Sequence, residues 1–107
     1  MRYRTILSIL LVFTLISGCA SVDADDELTV VATTTIIGDV VAGIVGDAGR
    51  VDVLIDGQAD PHEFSPSAAE TAAVLSADLV VANGLDLEAG ALSLLESAEA
   101  DGVPVLY

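Results

Sequence analysis

The sequence predicts an α/β fold in which a parallel sheet carries helices on both faces, in the order βαβαβαβ. Three observations support this prediction. Short runs rich in β-branched and apolar residues recur along the chain. Between them lie longer runs whose apolar residues are spaced at helical intervals. Turn residues such as Asn83-Gly84 separate the two kinds of run. Such alternation is typical of parallel sheets with right-handed crossovers.

The four predicted strands are short and mostly apolar on both faces, which suits a sheet that is covered on both sides. They are residues 28–34, 50–55, 78–82 and 103–106. Pro104 is compatible with the last of them because proline is tolerated at the start or edge of a strand.

The first predicted helix follows the first strand, with Thr35 as its N-cap and Gly46 at its end. We expect an apolar stripe to form its inner face. The stripe comprises Ile37, Val40, Val41, Ile44 and Val45.

Two further helices are predicted between the remaining strands. One begins after Ser67, which is expected to form a capping box with Glu70, and runs to about Ser76. Its expected inner face comprises Ala68, Thr71, Ala72 and Leu75. The other helix begins at about Glu88 and ends at Gly102.

The loop over residues 56–66 contains the only histidine of the chain, His62. Ligands of open parallel sheets bind at loops outside the carboxyl ends of the strands, and this loop follows the second strand. Pro61 fixes its own φ and favours an extended Asp60, so the imidazole is expected on a rigid turn. Imidazole is the commonest protein ligand of transition metals. His62 is therefore a candidate metal ligand, although the segment alone also fits a surface histidine in a proline-rich turn.

Residues 1–18 are predicted to be a secretory signal peptide, because a short basic start precedes an apolar run over residues 5–16. The order Leu15-Ile16-Ser17-Gly18-Cys19 resembles a bacterial lipobox, and it predicts lipidation of Cys19. The bland alternative is a free thiol. We interpret residues 19–27, which are rich in acidic side chains, as a flexible tether.

The charge of the chain excludes several functions. The net charge is −14, and all 17 acidic residues lie beyond Cys19 with Arg50 as the only basic residue among them. Such a surface argues against binding of nucleic acid or of an anionic membrane. Lysine is absent, so lysine-dependent phosphate sites and Schiff bases are excluded. No Gly-x-Ser-x-Gly elbow occurs and His62 has no nucleophile beside it in sequence, which disfavours a hydrolase.

Three blocks of the sequence together resemble the metal-binding solute-binding lipoproteins of ABC transporters, the ZnuA/TroA-like zinc and manganese family. The blocks are Val30-Val31-Ala32-Thr33-Thr34-Thr35-Ile36-Ile37-Gly38-Asp39-Val40-Val41, Asp60-Pro61-His62-Glu63-Phe64-Ser65-Pro66-Ser67 and Ala77-Asp78-Leu79-Val80-Val81-Ala82-Asn83-Gly84-Leu85-Asp86-Leu87-Glu88. Their order and spacing are far more specific than a lone histidine.

The resemblance implies that His62 is a direct ligand of a transported divalent transition metal, zinc or manganese, and that no catalytic cofactor is needed. Asp60 and Glu63 are candidates for orienting its ring, and each equally fits an ordinary solvated acid in a loop. Residues 28–107 would be the N-terminal lobe of a two-lobe protein, incomplete here, with the other metal ligands beyond Tyr107.

The resemblance also implies the setting of the protein. Its expected partners are an ABC permease and its ATPase, and Cys19 would anchor it to the outer face of the cytoplasmic membrane. It would not be an enzyme. A surface adhesin of the same fold is the alternative.

Overall fold

A computed structural model of the chain describes residues 27–107. The predicted signal peptide, Cys19 and nearly all of the predicted tether lie outside these residues. Within residues 27–107, no helix is both long and apolar enough to cross a bilayer.

The described residues contain one parallel sheet of four strands in the order β2-β1-β3-β4. The strands are β1 (Leu28–Thr34), β2 (Gly49–Ile55), β3 (Leu79–Val81) and β4 (Val105–Leu106). The predicted α/β class and the parallel sheet are therefore confirmed. The last two strands are shorter than predicted: β3 loses one residue at each end, and β4 begins two residues later.

Three α-helices connect these strands: α1 (Thr35–Val45), α2 (Ala68–Leu75) and α3 (Leu92–Ala100). Two 3₁₀ turns, Gly46–Ala48 and Ala89–Ala91, precede β2 and α3. The second of these explains why α3 begins after, and not at, the predicted Glu88. At its other end Gly102 has a φ of 89°, a left-handed conformation that suits glycine and ends the helix.

Alternation along the strands gives each face of the sheet its own set of side chains. On one face Val31 and Val80 pack against α2 and α3, which supply Val74, Leu94 and Leu95. This face holds the continuous core of the lobe. Two helices, α2 and α3, cover this face of the sheet.

The other face carries α1 alone, and here the predicted inner stripe is only partly correct. Val41 is buried, but Val40 and Ile44 are 58% and 80% exposed. A Cβ at Gly38 would lie 2.6 Å from Cγ2 of Val53, so α1 approaches the β2 side of the sheet closely at this glycine. The rest of the stripe consequently borders an open apolar groove whose floor includes Val30, Leu79 and Val81 of the sheet.

The helix starts test the predicted caps. The α2 capping box is confirmed: the Ser67 hydroxyl accepts from the Glu70 N–H at 3.3 Å, and the Glu70 carboxylate accepts from the Ser67 N–H at 2.6 Å. The N-cap of α1 is Thr34 and not Thr35, and its side chain makes no capping bond. Thr34 instead serves a polar cluster described below.

The inner face of α2 also differs from the prediction. Val74 is fully buried and Thr71 and Leu75 are half-buried, whereas Ala68 and Ala72 are exposed. Apolar alanines on every side of this short helix leave the periodicity ambiguous, and the larger Val74 takes the inner position.

Candidate functional site

The carboxyl ends of β1, β2 and β3 meet at one rim of the sheet. From β1 the chain passes to β2 on one side, and from β2 it crosses back to β3 on the other side of β1. The connections thus diverge between β1 and β3, which makes this gap the switch point where open α/β sheets bind ligands. Thr33 and Thr34 end β1 here, and Asn83 follows β3.

The loop after β2 presents His62 on this rim through two turns built by acidic side chains. Asp56 Oδ1 accepts from the N–H groups of Gln58, at 2.9 Å, and Ala59, at 3.2 Å. Asp60 Oδ1 accepts from the N–H of His62 at 2.9 Å. Aspartates that bond their own backbone two residues on stabilise tight turns. The loop therefore fixes the backbone at His62 while the imidazole stays exposed.

Neither of the acidic candidates beside His62, Asp60 and Glu63, makes a hydrogen bond to the imidazole ring. The hydrogen bond of Asp60 goes to the backbone of His62 and not to its ring. Glu63 is exposed, and its N–H bonds the Asp60 carbonyl at 3.2 Å. A role for either carboxylate in orienting the imidazole stays a prediction. Across residues 27–107, no group of three or more His, Cys, Asp or Glu side chains is placed to hold a metal ion.

The His62 loop is attached to the 3₁₀ turn Ala89–Ala91. The N–H of Gly90 donates to the Pro61 carbonyl at 3.2 Å. A Cβ at Gly90 would overlap the carbonyl oxygen of Phe64 and lie 2.6 Å from its backbone nitrogen. Only glycine lets the loop come so close. The Phe64 ring then packs on the core under α2 and α3.

Behind the loop lies a buried carboxylate, Glu88, which is only 4% exposed. Its Oε1 accepts from the Thr33 hydroxyl and, at 2.7 Å each, from the backbone N–H and side-chain amide of Asn83. Its Oε2 accepts from the Gly84 N–H at 3.2 Å. The Asn83 amide also donates to the Thr34 hydroxyl at 3.0 Å. We refer to Thr33, Thr34, Asn83, Gly84 and Glu88 as the Glu88 cluster.

Hydrogen bonding and burial act against each other on Glu88. Burial raises the pKa of this carboxyl, but the hydrogen bonds from Thr33 and Asn83 outweigh burial and leave the pKa below its ordinary value. An ionised carboxylate is acceptor-only and suits a position where four donors converge. The cluster therefore holds a negative charge without any cationic side chain.

The turn between Asn83 and Glu88 has an unusual backbone. Gly84, Leu85 and Asp86 all have left-handed φ values, of 75°, 54° and 60°. Such values are uncommon for residues other than glycine and cost energy at Leu85 and Asp86. This conformation turns the N–H groups of Asn83 and Gly84 inward to Glu88, and the bonds they make offset the cost.

Glu88 is the principal residue that sequence reasoning missed as part of the site. From the sequence, Glu88 is only the approximate start of the third predicted helix and the last residue of a block that resembles the family. One signal is available: Glu88 is the acid that directly precedes the Ala89-Gly90-Ala91 run of small residues, shortly after the Asn83-Gly84 turn. A carboxylate placed four residues after an Asn-Gly turn can accept the N–H groups that the turn frees.

A cleft of about 290 Å³ lies between the His62 loop and the Glu88 cluster. Its lining includes loop residues such as Asp56 and Pro61, polar Thr34 at the end of β1 and Asn83 after β3, and large apolar residues. The large apolar residues are Ile36, Ile55 and Leu87. The imidazole of His62 is not part of that lining. The structure thus brings the loop and the cluster to one rim, with the histidine on the outer side.

Comparison with known proteins gives a consistent result. The family model described as "Zinc-uptake complex component A periplasmic" matches residues 30–106. The manganese ABC transporter substrate-binding lipoprotein PsaA of Streptococcus pneumoniae is 32% identical across 99% of this chain, which spans 40% of PsaA. The metal ABC transporter substrate-binding lipoprotein ScbA of Streptococcus cristatus is 31% identical with the same coverage. The chain thus spans about 40% of the length of these curated relatives.

Solved structures agree with the sequence comparison. The chain is similar to Zn(II)-bound AdcA from Streptococcus pneumoniae, with a TM-score of 0.65 and 28% identity over 75% of this chain and 17% of AdcA. The described sheet and helices therefore have the architecture of a lobe found in metal-binding proteins.

Proposed function

Because the chain belongs to the family of zinc-uptake component A, we propose that it is the metal-binding part of a substrate-binding protein that delivers a divalent transition metal, zinc or manganese, to an ABC transporter. One observation carries the proposal. His62 is the only histidine of the chain. It lies in a turn in which Asp60 accepts a hydrogen bond from its N–H, at the rim where the carboxyl ends of the parallel strands meet. No chemical step is required of the chain, since its task is capture and release.

The geometry supports His62 as a metal ligand in two ways. Its backbone is fixed by Asp60, so little backbone freedom is lost when the ring binds a metal. Its side chain is exposed, so either ring nitrogen can reach an ion in solution. One imidazole supplies one of the about four donors that zinc takes, and the complete site would draw its other donors from outside residues 27–107.

The charge of the chain favours the same cargo. A net charge of −14 produces a negative potential that raises the local concentration of cations and repels anions. Within residues 27–107 no three acidic side chains are gathered into a group that could hold a metal, so there they attract metal ions without competing for them. This electrostatic attraction acts equally on manganese and zinc ions.

The proposed setting follows the sequence-based expectations. Lipidation of Cys19 would tether the lobe through residues 19–27 to the outer face of the cytoplasmic membrane. There it would capture the metal and pass it to a permease driven by an ATPase. The adhesin alternative stays a prediction, and no feature of the described residues favours it.

The test is the affinity for Zn²⁺ and Mn²⁺ of the full-length protein, which supplies the donors outside residues 27–107, measured by competition with a chromogenic chelator. We expect His62→Ala to weaken specific binding strongly, because it deletes one of the about four ligands of the metal. Gln58→Ala is the matched control: Gln58 lies exposed in the same loop, and its N–H bond to Asp56 is retained. Equal affinity of His62→Ala and the unaltered chain would contradict the proposal.

A further inference from the structure

We propose that Glu88 is a positioning residue for His62: the Glu88 cluster sets the place of the 3₁₀ turn to which the His62 loop is bound. The inference rests on the proposed function, since metal capture by His62 is the property that Glu88 would tune. Glu88 itself does not reach the metal in this account.

The first step is the convergence of three chain segments on one carboxylate. Thr33 comes from the end of β1, Asn83 and Gly84 follow β3, and Glu88 precedes Ala89–Ala91. Thr33 and Glu88 are 55 positions apart in sequence. A single buried acceptor thus fixes the 3₁₀ turn relative to the two central strands of the sheet.

The second step leads from Glu88 to the loop. Glu88 also begins the 3₁₀ turn, because its carbonyl accepts from the Ala91 N–H at 2.8 Å. Within that turn Gly90 donates to the carbonyl of Pro61, the residue before His62. The path from the buried carboxylate to the histidine backbone therefore contains one short turn and one hydrogen bond.

The third step is that the loop has few other attachments. In the described part of the chain, the bond from Gly90 to Pro61 is the one hydrogen bond that joins residues 56–66 to any other segment. The remaining bonds of the loop lie within it. Phe64 adds apolar contact with the core, again directly over Gly90. A shift of the 3₁₀ turn would therefore move both attachments of the His62 loop together.

Glu88→Gln tests the inference with little change in shape. The glutamine amide would place an NH₂ group among donors, so at least one donor in the Glu88 cluster loses its acceptor. Glu96→Gln is the matched control, because Glu96 is exposed on α3. A second pair of variants changes the donor of the hydrogen bond between Thr33 and Glu88. Thr33→Val removes the donor hydroxyl, and Thr33→Ser retains it.

Two measurements are made on each variant of the full-length protein. The first is the amide exchange rate of Gly90, with the amides of β2 as the internal reference for global opening. The second is the dissociation constant for Zn²⁺. We expect Glu88→Gln and Thr33→Val to accelerate Gly90 exchange relative to β2 and to weaken Zn²⁺ binding by about tenfold, the lower end of the loss when an outer partner of a ligand is removed. Thr33→Ser and Glu96→Gln should match the unaltered chain.

The outcomes separate the two proposals. Unchanged Gly90 exchange and unchanged affinity in Glu88→Gln would overturn the positioning role, even if His62→Ala still abolishes binding. Should Glu88→Gln fail to fold, the Thr33→Val and Thr33→Ser pair decides by the same criteria. Retained binding in His62→Ala would instead contradict the proposed function, while Gly90 exchange would still report whether Glu88 holds the loop.

Discussion

Two segments at the same rim use carboxylates in opposite ways. In the His62 loop, Asp56 and Asp60 are exposed and bond N–H groups two or three residues away. In the Glu88 cluster, one buried carboxylate collects donors from segments up to 55 residues apart. The first arrangement shapes a loop locally. The second fixes where that loop sits on the sheet.

For His62, the metal ligand that we propose, presentation and placement are therefore separate tasks. Presentation needs exposure, which leaves the His62 side chain without packing that could hold it. Placement needs burial, because hydrogen bonds to a charged group are strongest where water is excluded. The two tasks meet at the contact between Gly90 and residues 61–64.

Gly90→Ala should have the largest effect, since it acts on that contact. The new methyl group would overlap the Phe64 backbone, so either the 3₁₀ turn or the loop must move. Overpacking of this kind costs about 3 kcal/mol. We expect the free energy of unfolding, measured by urea titration, to fall by about that amount and Zn²⁺ affinity to fall with it.

Gly43→Ala is the control for Gly90→Ala. A Cβ at Gly43 meets nothing within 4 Å, and Gly43 lies within α1. Alanine there should stabilise the chain by about 0.5–1 kcal/mol through helix propensity. If Gly90→Ala were as harmless as Gly43→Ala, the loop and the 3₁₀ turn would not be coupled.

Acidification should weaken the Glu88 cluster. The hydrogen bonds of Glu88 hold its pKa below the ordinary value of 4.5 in the folded chain. Such a group stabilises the fold above about pH 4.5, and its contribution is lost as the pH falls through the lowered pKa. We therefore expect the free energy of unfolding to decrease below pH 4.5, and to decrease less steeply in Glu88→Gln.

Glu70 limits how much the pH dependence of stability differs between the unaltered chain and Glu88→Gln. Its hydrogen bonds with Ser67 lower its pKa as well, so it loses stabilisation over the same range of pH. Glu70→Gln removes this second contribution, and the double variant with Glu88→Gln should show the shallowest slope. A slope that is identical in the unaltered chain and in Glu88→Gln would contradict the importance of the ionised carboxylate.

The contrast also explains what the sequence could predict. The strands, the capping box at Ser67 and Glu70, and the position of His62 at the rim depend on local patterns, and the structure has all of them. The stripe of α1 was predicted as buried, but whether Val40 and Ile44 are covered depends on how many helices share that face. Likewise, the role of Glu88 depends on donors from β1, which helical or strand periodicity cannot reveal.

His62→Ala should have the smallest effect on stability, so it separates metal binding from the placement of the loop. The side chain is exposed, and the bond to Asp60 uses the backbone N–H, which alanine retains. Substitutions at such positions change stability by less than about 0.5 kcal/mol. Asp60→Ala is the useful counterpart, because it keeps the imidazole but removes the acceptor that fixes its backbone. If presentation and placement are separate, His62→Ala loses metal binding at unchanged stability, whereas a marked destabilisation by His62→Ala would show that the ring itself helps to hold the loop.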